Sequence, residues 1–172
     1  ELGRFEESRM EMRRALALDP LSRIINTNVG FGEYFARDYD AAIAQYRRAL
    51  EQFPDFSYTW ALLSMAHSMN GQHPEAVEAG RAALELAPGD KNYTQILAFA
   101  LARAGSEAQA RSLMASVLAD SDPTRIALVQ VALGDADEAL GLLELAVDEG
   151  SPFIPELGDP AYDPIRADPR FQ

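Results

Sequence analysis

The 172-residue chain is 48% hydrophobic and carries a formal net charge of −12, which excludes a disordered chain by composition and, for want of a basic face to displace counterions, nucleic-acid binding. Its apolar runs fall well short of the roughly 18–20 residues that cross a bilayer, and it has no cysteine for disulfide or thiol chemistry. A soluble, cytoplasmic protein without membrane contact is the expectation. Much of the acid is C-terminal: residues 120–172 hold 12 Asp/Glu against three Arg, which reads as solubility or as attraction of basic partners. Lys91 is the only lysine beside 14 arginines, a bias suited to a high-GC bacterial genome.

The first predicted helix covers 4–18. The chain opens at Glu1-Leu2-Gly3-Arg4-Phe5, in the middle of a repeat, so it reads as a piece of a longer protein. Helices follow at 22–35, 39–52, 56–69, 73–86, 90–103 and 106–119. In the third, Ala42, Ile43, Tyr46, Ala49 and Leu50 recur at three- and four-residue spacings and form one face. Asp122-Pro123 supplies an N-cap with proline at the first helical position and opens a helix over 123–133. A last one covers 135–148.

These helices fall on a period. Pro20, Pro54 and Pro88 are 34 residues apart, each behind an Ala/Leu-rich block, and Phe5, Tyr39 and His73 keep the same spacing, as do Gly71 and Gly105. The pattern resembles the tetratricopeptide repeat. Residues 57–90 carry it through Trp60, Leu63, Ser64, His67, Gly71, His73, Ala76, Ala83 and Pro88, and residues 23–56 through Gly30, Tyr39, Ala42, Tyr46, Ala49 and Pro54. Arg37 stands where glycine is usual. Residues 91–122 keep Leu97, Ala98, Leu101, Gly105, Ala110 and Met114, while a degenerate unit over 123–150 places Gly134 only 29 residues after Gly105. Small residues let helices approach and large ones fill the gaps. Each hairpin leaves an apolar face that only its neighbour can bury.

The resemblance implies an all-α fold, a right-handed superhelix of antiparallel helical hairpins: a half unit at 1–22, units at 23–56, 57–90, 91–122 and 123–150, and an Asp-Pro-rich capping tail at 151–172. Each Asp-Pro pair of the tail can cap a short helical turn, with Phe153, Ile154, Leu157, Tyr162, Ile165 and Phe171 as anchors. The phrase Asp163-Pro164-Ile165-Arg166-Ala167-Asp168-Pro169-Arg170-Phe171 is similar to the ends of bacterial signalling proteins in which such an array follows an effector domain.

In this family, first helices line a concave groove. Carried over position by position, the groove residues are Ile24, Thr27, Asn28, Phe31, Tyr34, Tyr58, Met65, Met69, Asn92, Gln95, Phe99 and Arg103, with Arg125 and Leu128 from the degenerate unit. That set is apolar and aromatic at its centre and suits an extended or helical peptide. Only Asn28 and Arg103 in it are of the types that make a carboxylate clamp, so no such clamp is expected. At this spacing Phe31, Met65 and Phe99 fit a core equally well. The expected role is therefore a protein- or peptide-binding scaffold, the partner-docking or regulatory module of a larger bacterial protein. A homodimer through the uncovered first helix, with Phe5, Met12 and Leu16, is the alternative. His67 and His73 fall at core positions, and no catalytic, metal or cofactor motif is present in the sequence.

Overall fold

In the computed structural model, residues 2–118, 121–153 and 157–171 are described. They form nine α-helices: α1 (Leu2–Leu18), α2 (Arg23–Phe35), α3 (Tyr39–Gln52), α4 (Ser57–Met69), α5 (His73–Leu86), α6 (Lys91–Arg103), α7 (Glu107–Val117), α8 (Pro123–Leu133) and α9 (Ala136–Asp148), with 3-10 helices at Pro160–Ile165 and Pro169–Phe171. No described residue is in a strand. The ends of the nine helices agree with the sequence reading to within about two residues, and the expected end of the seventh, at 119, lies outside the described residues. The chain divides into two compact units, residues 1–88 and 89–172.

In the first unit α1 packs on α2, α2 pairs with α3, α3 with α4 and α4 with α5, and α2 also touches α4. The turns inside the hairpins share one construction. Arg37 N–H donates to Tyr34 C=O at 2.9 Å and Asp38 N–H to Glu33 C=O at 3.0 Å; Gly71 and Gln72 repeat this onto Ser68 and His67. The pair of bonds is the Schellman closure, which needs a left-handed residue after the helix. Gly71 supplies it at φ 75°, and Arg37, at the aligned position, adopts φ 63° although it is not glycine.

Between hairpins, a side-chain donor three residues into the next first helix reaches back to the proline of the preceding block. Asn26 Nδ2 donates to Pro20 C=O at 2.9 Å and Trp60 Nε1 to Pro54 C=O at 2.8 Å. Inside the first complete hairpin, the buried Tyr46 ring lies on the backbone of Gly30. The α3 face predicted from spacing is the buried one: Ala42, Ile43, Tyr46, Ala49 and Leu50 all leave solvent.

In the second unit α6 pairs with α7 and α8 with α9, and α6 and α8 are in contact. The hairpin turns again use the Schellman bonds, Gly105 onto Ala102 and Ser106 onto Leu101, then Gly134 onto Val131 and Asp135 onto Gln130. Asp122 caps α8 by accepting from Thr124 N–H at 2.9 Å, and its other oxygen accepts from Ser151 Oγ at 2.8 Å. Burial alone would raise this carboxyl, but the hydrogen bonds from Thr124 and Ser151 hold it below the usual carboxylate range.

The tail lies on α8 and α9. Tyr162 and Ile165 are buried with Ala127, Val131, Leu140 and Leu143, and Leu157 and Phe171 pack at the edge. Tyr162 Oη donates to Thr124 C=O at 2.7 Å. Two Asp-Pro pairs cap as expected, Asp159 accepting from Ala161 N–H and Asp168 from Arg170 N–H. The third differs: Pro164 sits inside the first 3-10 helix, and Asp163 instead pairs with Arg166 at 2.9 Å. Among the expected anchors, Phe153 lies under the Arg125 guanidinium at 4.7 Å. Ile154 lies outside the described residues.

Candidate functional site

On α2, residues Ile24, Asn28, Phe31 and Phe35 recur at the spacing of a single helical stripe. Ile24 is 45% exposed and Phe31 is 40% exposed; Asn28 and Phe35 are half-buried. Phe31 and Phe35 stack with ring centroids 4.7 Å apart. On α4 the matching stripe is Tyr58, Leu62, Met65 and Met69, of which all but Met65 are half-buried. The two helices are pinned by a hydrogen bond between the Thr27 and Thr59 hydroxyls at 2.6 Å, both of them buried. At one end, Arg23 lies over the Phe56 ring at 4.7 Å, and Phe56 meets Tyr58 edge-on at 5.9 Å.

The twelve residues assigned to a groove from sequence therefore divide. Ile24, Asn28, Phe31, Tyr58 and Met69 keep surface on α2 and α4, and Asn92 and Arg103 are exposed on α6. Five are core: Thr27, Tyr34, Met65, Gln95 and Phe99 are buried, Met65 at 7% and Phe99 at 1% exposure. The physical reasons are local. Thr27 spends its hydroxyl on Thr59 and on the Arg23 carbonyl. Gln95 donates to Ser121 Oγ at 2.6 Å, and Tyr34 packs against Phe35 and Tyr39. Met65 and Phe99 thus follow the core alternative that their spacing left open. Phe35 and Leu62 carry no assignment from the sequence, although each stands four residues from an assigned neighbour, Phe31 and Tyr58.

Residues 33–91 match the family model of the tetratricopeptide repeat. Over that span the chain carries the tetratricopeptide repeat. The fold carries beyond the matched span: the crystal structure of a thermophilic TPR protein from Thermus thermophilus is similar with a TM-score of 0.72 over 90% of this chain and 87% of that chain, at 18% sequence identity. No curated protein matches the sequence. A tetratricopeptide fold serves in general as a scaffold for protein interactions, typically without catalysis, and the mixture of buried and exposed first-helix residues bounds where such an interaction could be made here.

Proposed function

We propose that the α2–α4 face of the first unit docks a segment of a partner protein through apolar anchors. What carries this reading is the exposure of Ile24 and Phe31 on one stripe of α2, beside Tyr58 and Met69 on a helix held in place by the Thr27–Thr59 bond. Apolar and aromatic side chains kept at the surface of a rigid element are the usual anchors of a peptide in a helical groove. On α6, Asn92 and Arg103 would offer polar contacts to a segment lying there. The reading extends to a docking or regulatory module of a larger, cytoplasmic bacterial protein, supported by the arginine bias and the Asp-Pro phrase. No helix among the described residues is long and apolar enough to cross a membrane.

The test is selection of peptides from a displayed library on the whole chain, followed by binding to Ile24→Ser and Phe31→Ser variants. Both positions are exposed, so the helical circular dichroism should be unchanged while affinity falls about tenfold or more per anchor. Undiminished binding by both folded variants rejects the face.

Self-association is a second reading, favoured by Met10, Leu18 and Leu21, all of them exposed. Met12 and Leu16 are half-buried, and the Phe5 side chain lies outside the described residues. Light scattering that returns the monomer mass across a wide concentration range rejects it.

A further inference from the structure

The opposite face of α4 poses a separate question. Trp60, Leu63 and His67 lie on the side of that helix away from Tyr58, Leu62 and Met69. There they line a cleft of about 460 Å³ between α3 and α5, floored by Leu50, Leu63 and Ala79. The rim carries Glu51, Glu75 and Glu78 against a single cation, Arg47. None of these four takes part in an ion pair among the described residues.

The hydrogen-bonding character of the cleft is one-sided. His67 Nδ1 meets Gln72 Oε1 at 2.5 Å, so the neutral ring keeps its proton on Nδ1 and presents Nε2 as an acceptor. Burial holds this imidazole below its ordinary pKa, which favours the neutral form. The Trp60 N–H is already given to Pro54 C=O, leaving only the ring to meet a ligand. The cleft thus offers three unpaired carboxylates, a nitrogen acceptor, a tryptophan ring and an apolar floor.

We propose that this cleft binds an arginine side chain carried on an apolar segment of a partner protein. A guanidinium supplies up to five donors and no acceptor, stacks best on tryptophan and complements the net negative rim. The apolar floor takes the aliphatic stem or an adjacent leucine. A related cleft of the second unit, between α7, α8 and α9, marks the difference. It is about 200 Å³, has no aromatic lining residue and one carboxylate, Glu138, and its Arg111 is bridged to Asp135 at 2.7 Å. Leu118, Ile126, Gln130 and Glu138 there stand at the repeat positions of Leu50, Leu63, His67 and Glu75, so the same architecture is present without the cation-binding groups. Of these two clefts, only the first carries the groups that suit a guanidinium.

Trp60 is the only tryptophan, so its emission reports on this cleft directly. The whole chain is titrated with acetyl-Leu-Arg-Leu-amide and, as control, acetyl-Leu-Glu-Leu-amide. The arginine peptide should give a saturable change at one equivalent and the glutamate peptide none. The double variant Glu75→Gln/Glu78→Gln should bind about tenfold more weakly, the size of one lost charge-assisted hydrogen bond. The variant Glu144→Gln/Asp148→Asn, which removes the same charge from α9, should bind as the parent does, as should Phe31→Ser, which separates this cleft from the α2 face. Absence of saturation, or equal weakening by the α5 and α9 variants, overturns the proposal.

Discussion

Arg37 holds the left-handed backbone conformation of Gly71, its counterpart one repeat later, at φ 63° against 75°. Both close their hairpin with the same pair of backbone hydrogen bonds. A side chain in this region costs about 1–2 kcal/mol, whereas glycine adopts it freely at some expense in unfolded-state entropy. Arg37→Gly should therefore raise stability by about 0.5–1 kcal/mol and Gly71→Ala lower it by about 1 kcal/mol. Urea midpoints at constant slope measure both, and a destabilised Arg37→Gly would mean that the arginine side chain contributes more than its backbone costs.

The close approach of α2 and α3 makes a second prediction. A Cβ added at Gly30 would lie 2.5 Å from Tyr46 Cε1 and 2.8 Å from Cδ1, and the Tyr46 ring is fully buried. Helix propensity alone favours alanine over glycine by about 1 kcal/mol. Overpacking a filled core costs about 1–3 kcal/mol, so Gly30→Ala should come out destabilising. A gain in melting temperature would show that the ring can move aside.

These two positions also show what was legible beforehand. The helix ends could be read because caps and turn residues announce them: Asp38, Asp90 and Asp122 each accept from a backbone N–H at a helix start. The rule that small residues let helices approach and large ones fill the gaps could be read as well, and Gly30 beneath the Tyr46 ring is an instance of it. What could not be read is which first-helix residues stay at the surface. Phe31 and Phe99 share a repeat position, yet one is exposed and the other buried, because burial depends on what covers a helix face and not on the helix itself. The α3–α5 cleft was invisible for a related reason: His67 and Trp60 occupy core positions, and only the packing leaves a gap beside them.

The Thr27–Thr59 hydroxyl pair is buried at 2.6 Å. Thr27→Val leaves the Thr59 hydroxyl without this partner and should cost about 1–3 kcal/mol. The double change Thr27→Val/Thr59→Val removes both polar groups and should recover part of that loss. A double-mutant cycle on urea stability reads the coupling directly, and strict additivity would show that the bond does not couple α2 to α4.

The tail makes its own prediction. Tyr162→Phe keeps the ring among Ala127, Leu140 and Ile165 but deletes the donor to Thr124 C=O. Loss of a buried hydrogen bond of this kind costs about 1–2 kcal/mol. Limited proteolysis should then cut the 151–172 segment faster at an unchanged overall helix content. Equal cutting rates would place the tail's hold in the apolar contacts alone.

His67 links stability to pH. Burial lowers its pKa from the ordinary 6.5, with Arg47 acting in the same direction, and outweighs the opposing effects of Gln72 and Glu75. The unfolded chain then binds a proton that the folded chain refuses, so His67 favours folding above 6.5 and this contribution is lost as pH falls through the lowered folded value. Gln130 stands at the equivalent position of α8, which makes His67→Gln the natural comparison. The parent should lose more stability than this variant between about pH 7.5 and about pH 5.5, a window above that in which the depressed carboxylates Asp122 and Asp168 titrate. Urea denaturation at the two pH values measures the difference, and identical pH slopes for parent and variant would show that the imidazole takes up its proton without disturbing the fold.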